Sequence, residues 1–149
     1  MGHKEGIEIA LNNMGSIYLG KGDYDQALDL YNQSLKLAKE MGHQEKMIAT
    51  TLDGIAMIYL NKGKYNQALD LFSQSLKLAK KIGNQDGIAR YLNNIGLIYS
   101  NKGDYENALY YIIQGHDMLK KLDAKSFQWS LNMISNLREK LGKEIANNY

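Results

Sequence analysis

Leu11, Met14, Gly15 and Tyr18 fall at i, i+3, i+4 and i+7, the spacing that lines one face of a helix. A second run, Tyr24, Ala27, Leu28, Tyr31, Leu35 and Ala38, keeps the same period. Leu30 and Leu37 broaden its apolar face, as a helix with neighbours on two sides requires. Between the runs stands Gly20-Lys21-Gly22-Asp23. Its glycine suits the left-handed residue that closes a helix, so the two helices are predicted to reverse in a tight turn.

The whole pattern then recurs. Leu11, Leu52 and Leu92 stand 41 and then 40 residues apart, and Tyr18, Tyr59 and Tyr99 keep that register. So do Gly22, Gly63 and Gly103, then Tyr24, Tyr65 and Tyr105, then Ala27, Ala68 and Ala108. The turn recurs as Asn61-Lys62-Gly63-Lys64 and Asn101-Lys102-Gly103-Asp104. The one-residue slip falls between Gly42 and Ile48, where a loop absorbs it. Gly42 and Gly83 are expected to end the second helices, with Lys39, Lys80 and Lys81 placed where the helix dipole favours positive charge. Each helix should run about 17 residues, or about 25 Å. Repeats over about 4–42, 44–83 and 85–123 follow, forming a single domain over 1–149 with a further helix at about 125–141 and a tail at 142–149.

Composition narrows the function classes. The chain has 149 residues, 44% hydrophobic and 23% charged, ordinary for a folded domain. A net charge of +2 gives no strong one-signed field for nucleic acid. The absence of proline allows long helices, and the absence of cysteine removes disulfides, thiolate metal sites and cysteine nucleophiles. Residues 1–11 lack the pattern of a signal peptide, and no 18-residue apolar run could span a membrane. A soluble, cytoplasmic protein is expected.

These residues resemble the tetratricopeptide repeat family, in its variant with longer helices and a period near 40. The family's small residue of the first helix matches Gly15, Ala56 and Gly96, and its tyrosine matches Tyr18, Tyr59 and Tyr99. The alanine of the second helix matches Ala27, Ala68 and Ala108, followed by an aromatic at Tyr31 and Phe72 that Ile112 replaces in the third copy. The last small position holds Ser34, Ser75 and Gly115, and the family's terminal proline is missing. The resemblance implies an all-α, right-handed α-solenoid of antiparallel helix pairs, three repeats plus a C-terminal capping helix. It also implies a concave groove, lined by the first helices, that binds proteins or peptides.

The ends differ. The last helix carries a narrower apolar stripe, Phe127, Leu131, Ile134, Leu137 and Leu141, with Ser135 and Arg138 at the small and tyrosine positions. This is the pattern of a polar-backed cap. At the other end Ala10 and Ile17 occupy the face that packs on a preceding pair in later copies, and Met1-Gly2-His3 matches Met41-Gly42-His43. The chain is expected to start at a repeat boundary, either cut from a longer array or completed by self-association or a partner at that edge.

Projected at 100° per residue, Ile9, Asn12, Ser16 and Leu19 fall opposite the core stripe of the first helix. Their equivalents are Thr50, Asp53, Met57 and Leu60, then Arg90, Asn93, Leu97 and Ser100. Asn13 and Asn94 lie beside them, and Trp129, Asn132 and Asn136 continue the surface on the cap. All are expected to face water. Amides there could pair with a ligand backbone of any sequence, Met57 and Leu97 offer adaptable apolar contact, and Trp129 offers an aromatic anchor. By resemblance, Asn13 and Asn94 hold the main chain of a bound peptide. Capture of a C-terminal carboxylate is disfavoured, because Arg90 is the one strong cation of the row and Asp53 lies one copy away.

Other motifs dissolve on inspection. Gly15 to Gly22 approaches a phosphate-binding loop, but Gly22 takes the hydroxyl position and the stretch is helical. His3, His43 and His116 share no face that would hold a metal. The lysines Lys36, Lys39, Lys77, Lys80, Lys81, Lys120 and Lys121 lack the interleaved aromatics of a nucleic-acid stripe. Asn32-Gln33-Ser34 matches a glycosylation triplet but lies mid-helix. No cofactor, metal or enzyme activity is expected. The function read from the sequence is a peptide-binding scaffold or adaptor, the alternative being a ligand-sensing or regulatory segment of a larger bacterial signalling protein.

Overall fold

The computed structural model describes the backbone over residues 2–42, 44–122 and 127–148. Seven helices fill the described residues: α1 (Gly2–Gly20), α2 (Tyr24–Met41), α3 (Glu45–Asn61), α4 (Tyr65–Ile82), α5 (Gln85–Asn101), α6 (Tyr105–Leu122) and α7 (Phe127–Asn148). No strand occurs among them. The expected end of the third repeat at 123 and start of the cap at 125 lie outside the described residues, as do Met1, His43 and Tyr149.

The three within-pair turns are built alike. Gly22, Gly63 and Gly103 take φ of 77°, 74° and 81°, a region open to glycine without a Cβ penalty. Each glycine N–H donates to the carbonyl three residues back, at Leu19, Leu60 and Ser100, all 3.0 Å away. The next N–H, of Asp23, Lys64 or Asp104, donates to the carbonyl of Tyr18, Tyr59 or Tyr99 at 2.8–3.0 Å. This double closure satisfies carbonyls that the helix end would otherwise leave bare. The residue that completes it also caps the following helix. Asp23 Oδ1 accepts from the Gln26 N–H at 3.3 Å, and Asp104 Oδ1 from the Asn107 N–H at 3.2 Å.

In the middle copy Lys64 stands at that position, with no side-chain capping bond and a positive charge at the positive end of α4. Lys64→Asp should therefore stabilise the chain by about 1 kcal/mol, even though it forfeits a lysine placed 6.0 Å from the Tyr59 ring. A urea denaturation midpoint that fails to rise would contradict this account of the cap.

The chain divides into two compact units, Met1–Gly83 and Asn84–Tyr149. In the first, α1 pairs with α2, α3 pairs with α4, and α2 also packs on α3. Ala27, Tyr31, Ile55 and Ile58 form a buried cluster, with Tyr18, Tyr24, Leu28, Leu35, Tyr59 and Leu71 packed around it. In the second, α6 packs on both α5 and α7, around Ala108, Ile112, Ile134 and Leu137. Small residues set the close approaches. A Cβ added at Gly15 would stand 2.9 Å from the Tyr31 ring, and one at Gly96 would stand 2.6 Å from Ile112. Ile112 thus does in its pair what the aromatic does in the first. At the last small position, Ser34 Oγ donates to the Glu8 carbonyl (3.2 Å) and Ser75 Oγ to the Ala49 carbonyl (3.0 Å), each 26 residues earlier.

Three expectations need correction. The helical spacing puts Met14 on the core stripe, yet it is exposed where its equivalents Ile55 and Ile95 are buried. No described helix covers that side of α1. Leu131 of the cap stripe is likewise exposed, because α7 meets α6 on one side only. Finally, α7 does not stop near Leu141 but runs to Asn148. Gly142 is outweighed by the strong helix formers around it and by an i,i+4 ion pair, Lys143 Nζ to Glu139 Oε1 at 3.2 Å.

Candidate functional site

In the first unit the expected row splits into exposed and sealed members. Ile9, Asn13 and Ser16 are exposed, and Leu19, Thr50, Asp53 and Met57 are half-buried. Asn12 is buried instead of facing water. Its Nδ2 donates to Thr51 Oγ1 across to α3 at 2.7 Å, so the amide clamps two first helices together. Ser16 Oγ donates to the Asn12 carbonyl (3.2 Å) and lies 3.0 Å from the Tyr31 hydroxyl, which reaches it from α2. The Tyr31 ring passes between Gly15 and Gly54 to get there. Burial pushes its hydroxyl pKa up, against the opposing effect of the Ser16 hydrogen bond, and the nearby Asp53 charge adds to the rise. Thr50 Oγ1 is spent on its own helix, donating to the Lys46 carbonyl at 2.9 Å. Leu60 also leaves the row, being buried. The face is thus a tied polar seam with Ile9, Asn13 and Ser16 on the outside.

In the second unit the expected residues converge. Leu97, Ser100 and Asn101 of α5 face Trp129, Asn132, Met133, Asn136 and Lys140 of α7 across a cleft of about 390 Å³. The sequence singled out Leu97, Ser100, Trp129, Asn132 and Asn136. Asn93 departs from expectation: it is buried, and its Oδ1 lies 2.3 Å from where a Cβ on Gly115 would stand. It fills the space left by the glycine that replaces Ser34 and Ser75. Asn94 is half-buried, and Arg90 is exposed with its guanidinium 5.2 Å from the Tyr91 ring.

Three lining residues were missed. Met133 is the register equivalent of Asn13 and Asn94, so continuing that column would have found it. Lys140 is the equivalent of Asn101 and lies one turn beyond Asn136. Placing the end of the helix near Leu141 hid it. Its ammonium stands 5.5 Å from the Tyr105 ring and gives the cleft a cation that the sequence reading assigned to Arg90 alone.

The cleft has an apolar floor in Leu97 and Met133, one indole wall that is 42% exposed, three amides and an ammonium. Its lining offers hydrogen-bonding amides, apolar surface and one ammonium. Amides bind a main chain in either sense, and the indole and the floor accept an apolar side chain.

Models of the tetratricopeptide repeat match residues 47–121 and 9–41. The chain belongs to the tetratricopeptide repeat family. No curated protein matches it in sequence. Its fold is similar to the crystal structure of the apo form of RapI, with a TM-score of 0.87 and 18% identity over 93% of this chain and 50% of that one. It is also similar to BtubC from P. vanneervenii, with a TM-score of 0.83 and 18% identity over 93% of this chain and 58% of that one. The N-terminal domain of stress-induced protein-1 from C. elegans matches with a TM-score of 0.67 and 14% identity, over 92% of this chain and 96% of that domain. The chain spans 50% and 58% of the length of the first two. These likenesses bear out the all-helical repeat fold. No described helix is long and apolar enough to cross a membrane.

Proposed function

We propose that the chain is a protein-interaction module, working in the cytoplasm, and that the cleft between α5 and α7 is where it holds a peptide or a helix of its partner. The observation that carries this is the convergence of Trp129, Leu97 and Met133 with Asn101, Asn132 and Asn136 on one accessible cleft. An apolar side chain of the ligand would lie against the indole, and the amides would pair with its main chain. Lys140 adds a preference for an acidic residue nearby.

Trp129 is the sole tryptophan, so the indole reports on its own occupancy. A dodecapeptide selected from a random display library on the intact chain should shift its emission to the blue on saturable titration. Asn132→Ala/Asn136→Ala should weaken that peptide by about tenfold or more, two interfacial amides being worth about 1.4 kcal/mol together. A selected peptide that leaves the emission unmoved, and binds the double variant as tightly, would remove the assignment.

A further inference from the structure

The open side of α1 carries Ile7, Ala10, Met14 and Ile17, spaced i, i+3, i+7 and i+10. That is the seam of two successive heptads. All four are exposed, Ile7 to 43%, Met14 to 45% and Ile17 to 57%. The face is built to receive a helix. The register equivalents of Met14 and Ile17 on α3 are Ile55 and Ile58, and both are buried under Ala27 and Tyr31 of α2.

We infer that this seam pairs with the same seam of a second copy of the chain, the two α1 helices running antiparallel about a two-fold axis. The side chains fit that arrangement. Antiparallel alignment centred on residue 12 sets Ile7 against Ile17 of the second copy, and Ala10 against Met14 of the second copy. The short side chain thereby meets the long flexible one, and both isoleucines find a branched partner. Parallel alignment would instead set Ala10 on Ala10 and leave a void in the middle of the seam.

The flanks are also compatible with self-pairing. Along the two heptads Gly6, Asn13 and Gly20 border one side, and Leu11 and Tyr18 the other, all uncharged, while Lys4, one heptad before Leu11, falls opposite Gly20 of the second copy. No like charges meet along the two heptads themselves. A Cβ added at Gly6 or at Gly20 would have nothing within 4 Å, so a second backbone can approach closely there. Antiparallel packing further sets the positive end of each helix dipole beside the negative end of the other. Two heptads bury an area at the low end for specific association, so the dimer is weak.

Sedimentation equilibrium of the intact chain, from about 5 µM to about 1 mM, should show monomer passing to dimer. Ile17→Glu should hold it monomeric over the same range, with helicity and melting unchanged because the side chain is exposed in the monomer. The register is tested separately, in a chain with no cysteine of its own. When Ala10→Cys and a mass-tagged Met14→Cys chain are mixed under mild oxidant, the mixed disulfide should outnumber both like-with-like products. A chain that stays monomeric throughout would overturn the inference and give the seam to a helix from elsewhere. Undiminished dimerisation of Ile17→Glu, or a majority of like-with-like disulfides, would overturn it as well.

Discussion

Replacing Tyr31 with alanine should destabilise the first unit by about 3–5 kcal/mol, the cost of emptying a buried aromatic site. Tyr31 is 2% exposed and is the one aromatic of its core cluster. It joins α2 to both first helices of its unit, with its ring between Gly15 and Gly54 and its hydroxyl on Ser16. The same geometry makes Gly54 a sensitive position. A Cβ there would stand 2.4 Å from the ring carbon Cζ and 2.7 Å from the hydroxyl oxygen. Two opposed effects decide the sign of Gly54→Ala. Helix propensity favours alanine by about 1 kcal/mol, while overpacking against a ring with no room to withdraw costs about 1–3 kcal/mol. Gly15 on the opposite side is also in close contact, so the ring cannot yield and the clash should win. At Gly142 nothing lies within 4 Å of an added Cβ, and alanine there should gain up to about 1 kcal/mol. Urea unfolding followed by far-ultraviolet dichroism compares all three. A Gly54→Ala chain as stable as Gly142→Ala would mean that the ring is not confined as described.

Glu8 should make stability fall as pH rises. The residue is fully buried between α1 and α2. Its Oε1 shares the one Ser34 hydroxyl hydrogen with the Glu8 carbonyl, each 3.2 Å from Ser34 Oγ, and its Oε2 has no hydrogen-bond partner. Burial raises its pKa above the ordinary 4.5; the Ser34 hydrogen bond opposes the rise, and the nearby Glu5 charge adds to it. A carboxyl that keeps its proton to higher pH when folded binds more protons in the folded chain than in the unfolded one. Its contribution is therefore most favourable below 4.5 and is lost as pH climbs through the raised folded value. The other repeats carry Ala49 and Ala89 at this position, both buried, so the fold accepts a methyl group there. Glu8→Ala should consequently be more stable than the parent chain at alkaline pH, by removing a poorly paired buried charge, and should flatten the decline as pH rises above 4.5. An unchanged slope in the variant would assign the pH dependence to other groups.

The repeat was legible because its punctuation is chemical. A glycine that must take positive φ, an aspartate that caps and an alanine that must be small leave marks that no neighbour can supply in their place. The row opposite the core was less legible, for a reason visible at Asn12. Projection treats a helix as if it stood alone, and residues at the margin of the exposed arc are covered whenever the next first helix leans against them. Asn12 lost its exposure to Thr51 in this way. Asn93 lost its exposure through a change on another helix, where Gly115 left a space for it. Met14 erred in the opposite sense, since its apolar character belongs to the repeat while its exposure belongs to the edge on which it stands. Glu8 carried no signal beyond breaking the alanine column of Ala49 and Ala89.

The dual duty of Asp23, Lys64 and Asp104 limits where the chain can change length. The same connection, three residues long, joins α1 to α2, α3 to α4 and α5 to α6, and one of those residues both finishes one helix and starts the next. One inserted residue would turn the second helix by about 100° and carry its lysines toward the interior. Between pairs the spacing is freer, with three residues from α2 to α3 and two from α4 to α5. A loop, label or foreign epitope grafted into this protein therefore belongs after Gly42, where the chain already tolerates variation.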